Sequence, residues 1–426
     1  MSAAVGQEAP RTRPAGLRAR WAAFGRAPRI VGVDVARALA VFGMIGVHVG
    51  LAGAVDPDGS LGWPALLEGR SSILFAVVAG ISVALATGGA ARPEGDAVRS
   101  ARLRLAGRAI AVLAIGLVLE LLGTQIAVIL PVYGVLFLLV IPFVGMTTRT
   151  LVTVAAALAV VGPTSVAFVT AVTGATGASA GAGVQFLLTG AYPLTVWMPL
   201  ILAGLAVGRS DLRRTRTAVV ALVSGAALSV VGYGLGALVA ADPTAWLTPF
   251  LPGGSFSSSA SLPGGSSAVM SSMSGLSGGP GMPGLRGALD VPTALAQAWA
   301  VSPHSGGTLE IVGSGGVALL VVGACVLAGR RFRAVLVPLA AVGSMPLTAY
   351  AAHVLSFAVL VSPLAVAPTV MGVDGGGSLW FWLAFVAALL VGCTLWALRA
   401  GRGPLERLTA WAAAAADRPS RTSTTW

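Results

Sequence analysis

Three histidines, His48, His304 and His353, stand inside or beside long apolar runs. Asp34, Arg37, Glu68, Arg70, Glu120 and Glu310 are the other ionisable residues at such places. An imidazole titrates near neutral pH and, once oriented by a partner, suits the removal of a proton from a hydroxyl or amine. A charge at the centre of a bilayer costs roughly 2.5–3.5 kcal/mol even on lenient scales, so these residues are the first places to look for function. Arg37 and His48 are eleven residues apart in RIVGVDVARALAVFGMIGVHVG. In a helix that spacing is three turns plus about 20°, so both share one face roughly 16 Å apart. Asp34, three residues before Arg37, also permits a plain ion pair at the membrane interface. His48 reads either as a base or as an imidazole hydrogen-bonded between helices. Tyr350 and His353 share a helix face at i, i+3, as do Glu68 and Ser72 at i, i+4. Pro346 can free a backbone carbonyl by breaking the helix before His353.

The elements that must hold these residues are membrane helices. Hydrophobic residues make up 56% of the 426 positions and charged residues 10%. The mean hydropathy is +0.88. A soluble globular enzyme and a disordered chain are both excluded. About ten runs are long and apolar enough to be read as spans, at a requirement of ~20 residues each. They lie near 30–53, 66–88, 104–123, 126–145, 150–173, 191–208, 217–241, 309–329, 335–361 and 378–398. The first is longer than a secretory h-region, so it reads as an uncleaved first span. The expected fold class is an all-α polytopic integral membrane bundle of ten to eleven helices.

Arginine supplies all of the basic charge, and the formal net charge is +12. The arginines fall on alternate connections: the N-terminal segment, 92–108, Arg149, 209–216, 330–333 and the stretch from Arg399. The other connections hold Asp56, Asp58, Asp242, Asp290 and Asp374, with Arg286 the lone arginine. This is the positive-inside pattern, and it predicts both termini in the cytoplasm. It also argues for a multi-pass protein of the plasma (inner) membrane and against a nucleic-acid partner. By that topology all three histidines, with Glu68, Arg70, Glu120 and Glu310, lie toward the outer face.

The chain divides into an Arg-rich cytoplasmic segment (1–29), helices 1–7 (30–241), an external loop (242–308), helices 8–10 (309–398) and a cytoplasmic tail (399–426). The loop contains a Gly/Ser/Pro-rich tract too poor in apolar bulk to order itself. The chain beyond Arg407 reads as a loose tail. Met270, Met273 and Met282 lack a nearby His or Cys, so no metal site is expected. Cys325 and Cys393 lie in apolar runs and imply no disulfide framework. Arg99, Arg102, Arg104 and Arg108 first read as topology signals, with a phosphate site as the alternative. There is no Walker loop, HExxH or CxxC.

Several stretches carry a family likeness. The Arg37–x10–His48 motif resembles a mark of membrane acyltransferases. EGRSSILFAVVAGIS (68–82), ILPVYGVLFLL (129–139), GAYPLTVWMPLILAGLAVGR (190–209), SPHSGGTLEIVGSGG (302–316), GSMPLTAYAAH (343–353) and RGPLERL (402–408) resemble the YeiB-like bacterial membrane family. They are also similar to the heparan-alpha-glucosaminide N-acetyltransferase catalytic domain. The resemblance implies acyl transfer from cytoplasmic acyl-CoA, acetyl-CoA above all, to a hydroxyl or amine of an envelope glycan or lipid at the outer face. It implies that Arg37 and His48 are the marked pair, with His48 as base or transient acyl carrier. It implies that His304 and His353 line the same site, and that Glu68 orients a histidine or the acceptor. Arg104 and Arg108 would bind the donor. The external loop after the first helix holds Asp56 and Asp58 but no His, unlike the heparan enzyme's pattern. A homodimer is compatible with the sequence. The competing readings are a small-molecule transporter or efflux carrier, favoured by the Pro-interrupted runs at 126–145 and 191–208, and an assembly partner without chemistry.

Overall fold

The structure is a computed structural model. It describes residues 16–24, 29–51, 67–124, 126–176, 181–190, 192–241, 296–361 and 379–418. Among these there is helix and no strand. Every apolar run read from the sequence carries a helix. In chain order they are α1 (Leu17–Ala23), α2 (Val31–His48), α3 (Arg70–Ala86), α4 (Asp96–Glu120), α5 (Leu130–Leu139), α6 (Thr148–Thr176), α7 (Leu194–Arg209), α8 (Thr215–Ala241), α9 (Thr308–Arg331), α10 (Val337–Ser344), α11 (Pro346–Ser356), α12 (Leu379–Ala400) and α13 (Pro404–Ala416).

By length and apolarity, five of the described helices can cross a membrane, or up to seven if two bent pairs each count as one span. The expected ten is therefore not reached on this criterion. The α5 helix has 10 residues, about 15 Å of rise against a ~30 Å hydrocarbon core. The α4 helix is long enough but carries Arg104, Arg108 and Glu120 around its apolar stretch.

The layering follows from which helices are apolar all round. The most apolar window of α2 is 78% buried, whereas those of α8 and α12 are 22% buried. So α2 is central, and α8 and α12 are peripheral. Outward-facing Phe168, Val230, Leu238 and Trp380 are exposed as they would be toward lipid. Lipid tails are as apolar as leucine, so close packing of small residues joins the helices. The α3–α7 crossing is one case: a Cβ on Gly80 or Gly204 would overlap the partner's backbone. Another is Gly343 on α10, where a Cβ would overlap the carbonyl of Asp34 on α2.

Two segments bear on the expected loop and tail. The Gly/Ser-rich tract lies outside the described residues, but residues 296–307 are folded back on α9. Thr308 N–H donates to the Ala298 carbonyl at 2.8 Å, and Glu310 N–H to Ala300 at 3.2 Å. The tail beyond Arg407, expected to be loose, is instead helical as far as Ala416. The α13 helix lies along α4, with Gly107 against Ala412. It ends where Asp417 accepts from Ser100 Oγ at 2.6 Å and Arg104 Nε at 2.7 Å. A tail rich in alanine has high helix propensity, and the groove beside Gly107 gives it a surface to pack on.

Candidate functional site

His48 closes α2 and His353 lies near the end of α11. Their rings are parallel, with His48 Nδ1 2.9 Å from His353 Nε2. His353 is fully buried. The edges or faces of Tyr350, Phe357 and Phe385 surround it. Its Nδ1 is 3.2 Å from the Tyr350 carbonyl. A carbonyl can only accept, so this contact places a proton on His353 Nδ1. In a neutral pair, His353 Nε2 is then an acceptor, His48 Nδ1 donates to it, and His48 Nε2 keeps its lone pair. Among the described residues nothing hydrogen-bonds that nitrogen. Such an arrangement can serve as an oriented base, with a backbone carbonyl doing the orienting.

His304 lies within electrostatic range of His48 and is exposed. It sits at φ 63° in a tight loop, an unusual conformation for a non-glycine residue. Glu310 holds that loop. Its carboxylate accepts from His304 N at 2.7 Å, Gly306 N at 2.8 Å and Ser305 Oγ at 3.1 Å. Gly69, at φ 67°, packs against the same carboxylate. A small cavity of about 30 Å³ lies between Ser72, Trp197, His304 and Glu310. Glu68 is half-buried and makes no hydrogen bond to either imidazole of the pair. Glu120 is exposed at the end of α4.

Arg37 is not beside His48. Its Nη1 donates to Asp34 Oδ1 at 2.6 Å and to the Gly343 carbonyl at 2.7 Å, and its Nη2 to Ser82 Oγ at 3.1 Å. The intrahelical ion pair is present, and Arg29 joins it from 3.2 Å. The same guanidinium also fastens α2 to α10 and α3. It lines a cavity of about 1100 Å³ at the Arg-rich end of the bundle. Arg29, Arg37, Arg108, Arg213 and Arg402 line this cavity against Asp34, Asp211 and Glu406. Its inner wall is apolar and aromatic, with Phe75, Leu130, Tyr133 and Phe137. Arg108 Nε is buried there without a hydrogen-bond partner among the described residues. Arg104 does not line the cavity; it is held by Asp417.

Residues 29–235 match the family model described as heparan-alpha-glucosaminide N-acetyltransferase, catalytic. Residues 285–416 match the model described as protein of unknown function (DUF418). The family likeness read from the motifs is borne out. The chain is a multi-pass membrane protein, and its residues 29–235 resemble an acetyltransferase catalytic domain. No curated protein and no solved structure matches it. The histidine pair joins the two matched regions: His48 comes from the first and His353 from the second. So does the cavity, with Arg37 and Arg108 from the first and Glu406 from the second.

Two features of this site were not foreseen. The first is Glu406, in RGPLERL. Its Oε1 accepts from Leu347 N at 2.8 Å and Thr348 N at 3.2 Å, and its Oε2 from Thr348 Oγ1 at 2.6 Å. It therefore caps the helix that carries His353. The signal was a carboxylate just past the last span, which a loose tail would not need. The second is Tyr133, whose hydroxyl is buried without a partner among the described residues. Among the described residues there is no cluster of three or more His, Cys, Asp or Glu able to hold a metal.

Proposed function

We propose that the protein transfers an acetyl or related acyl group from cytoplasmic acyl-CoA to an envelope glycan or lipid at the outer face of the plasma membrane. One observation carries the reading: two helices connect an arginine-lined cavity to an oriented imidazole pair. The α2 helix carries Arg37 at the cavity and His48 at the pair. The α11 helix begins at Pro346 on the cavity wall and carries His353. The cavity volume suits a ligand larger than most drugs, since typical ligand pockets are about 300–1,000 Å³. A guanidinium whose Nε is buried without a hydrogen-bond partner among the described residues fits an anionic ligand, and guanidinium is well suited to phosphate. Arg108 would hold the donor's phosphates, with Arg402 and Arg213 at the same wall. Arg104 is committed to Asp417 and serves α13 instead.

His48 Nε2 would accept the proton of the acceptor's hydroxyl or amine as that oxygen or nitrogen bonds to the acyl carbon. The carbon–sulfur bond breaks, and the departing thiolate takes a proton in turn. His353 would keep His48 in the tautomer that leaves Nε2 free. The acceptor would approach from the side of His304, along the loop braced by Glu310.

The test uses inverted membrane vesicles and acetyl-CoA labelled on the acetyl group. Label should reach lipid or glycan in the wild type and disappear with His48→Ala. Arg108→Ala should raise the donor KM, whereas Arg104→Ala should not. Loss of discrimination between these two arginines would remove the cavity from the reading. The break of 80° between α10 and α11 favours a second reading, a carrier with a broken helix at its site. Gradient-driven uptake without label transfer would support the carrier.

A further inference from the structure

Tyr133 on α5 has a hydroxyl that none of the described residues uses. The residue is 2% exposed. Phe75 and Phe137 pack edge-on to its ring, with centroids at 5.2 and 6.0 Å. The hydroxyl has no hydrogen-bond partner among the described residues. Leaving a buried hydroxyl unpaired is unfavourable, because the hydrogen bonds it makes to water are not replaced. A phenylalanine would fill the same space without that cost, so packing does not explain the phenol. The residue lines the inner wall of the large cavity.

Its place along the bundle says what could pair with it. Ile129, one turn earlier, donates its N–H to Tyr350 Oη at 3.3 Å. The Tyr350 carbonyl is the group that orients His353. Tyr133 therefore stands about 6 Å of helix rise on the cavity side of the wall that holds the imidazole pair. The arginines gather at the other end of the cavity, where phosphates fit. The surroundings of Tyr133 are apolar and aromatic, which suits the uncharged end of a donor.

We propose that the Tyr133 hydroxyl hydrogen-bonds the thioester carbonyl oxygen of the donor and so fixes the acyl group at the inner end of the cavity. The inference rests on the donor reading of that cavity. During acyl transfer that oxygen gains negative charge, and a donor already aimed at it stabilises the charge. The proton stays on Tyr133 and no bond to it breaks. The same contact lets the site tell an acyl-CoA from free CoA, which has a thiol and no carbonyl.

The experiment uses the purified full chain in nanodiscs, wild type and Tyr133→Phe, with acetyl-CoA and CoA as probes. The ligand-free variant should melt no lower than wild type, because it loses an unpaired hydroxyl. CoA affinity should be unchanged, and acetyl-CoA affinity should fall about 2–10-fold, abolishing the preference for the acylated ligand. A variant that keeps the preference would overturn the proposal. So would a variant that melts below wild type, since the hydroxyl would then have a partner within the protein. If the wild type binds neither probe, the donor reading itself fails and this inference falls with it. That result differs from one in which both bind and only the preference persists.

Discussion

Replacing Glu406 by alanine should loosen the first turn of α11 and unseat the helix that carries His353. Pro346 occupies the first helical position and has no N–H to satisfy. The next two amides, of Leu347 and Thr348, have no intrahelical acceptor. Glu406 supplies one at 2.8 and 3.2 Å and also binds the Thr348 hydroxyl at 2.6 Å. Loss of a helix cap is unfavourable by about 0.5–2 kcal/mol, and the hydroxyl bond adds about 1 kcal/mol. The carboxylate also lines the cavity, where water can reach the freed donors. An expected loss of about 2 kcal/mol corresponds to ~30-fold faster local opening. Hydrogen exchange by mass spectrometry on peptides spanning 345–352 reads this directly, with α9 as the internal control. Glu406→Gln keeps an acceptor for both amides and should lose less than half as much. Unchanged exchange at 345–352 in Glu406→Ala would refute the capping argument and detach α13 from the site.

Three further outcomes follow from the same geometry. His48→Ala should reduce acyl transfer roughly 10²–10⁴-fold, the range for a lost general base. His353→Ala should add little to it, because the two act as one unit; an additive double variant would separate them. Gly69→Ala forces a left-handed backbone on a residue with a Cβ and sets that Cβ 3.2 Å from Glu310 Oε1. It should lower stability by about 1–2 kcal/mol, read as a lower melting temperature, and an unaffected melt would show the loop at 303–307 yielding. Ser100 and Arg104 hold the Asp417 carboxyl below its ordinary value of 3.8 by hydrogen bonding. The folded state therefore binds this proton less readily than the unfolded state. Its stabilising effect is present above the ordinary carboxylate value and lost as pH falls through the folded one. Melting curves of wild type and Asp417→Asn should differ at neutral pH and converge in acid.

The helices, their order and the residues worth testing were legible because hydropathy and helix period are local properties. The ion pair of Asp34 and Arg37 was legible too, since both partners lie on one turn. The family likeness came from short motifs, and each motif has a place at the site or in the packing around it. Other features depended on partners distant in sequence. Glu406 looks like a tail residue until α13 packs on α4 and brings it under α11. Arg104 and Arg108 are neighbours in sequence, yet Arg104 pairs with Asp417 and Arg108 lines the cavity, because one helical turn, about 6 Å of rise, separates them along α4. The partner that orients His353 is a backbone carbonyl, which no side-chain pattern can announce. Sequence alone determined an all-helical membrane protein with three histidines at one end. Only the tertiary structure decided that His48 and His353, 305 residues apart, share a hydrogen bond, because contact between distant helices depends on how their surfaces pack and not on either helix alone.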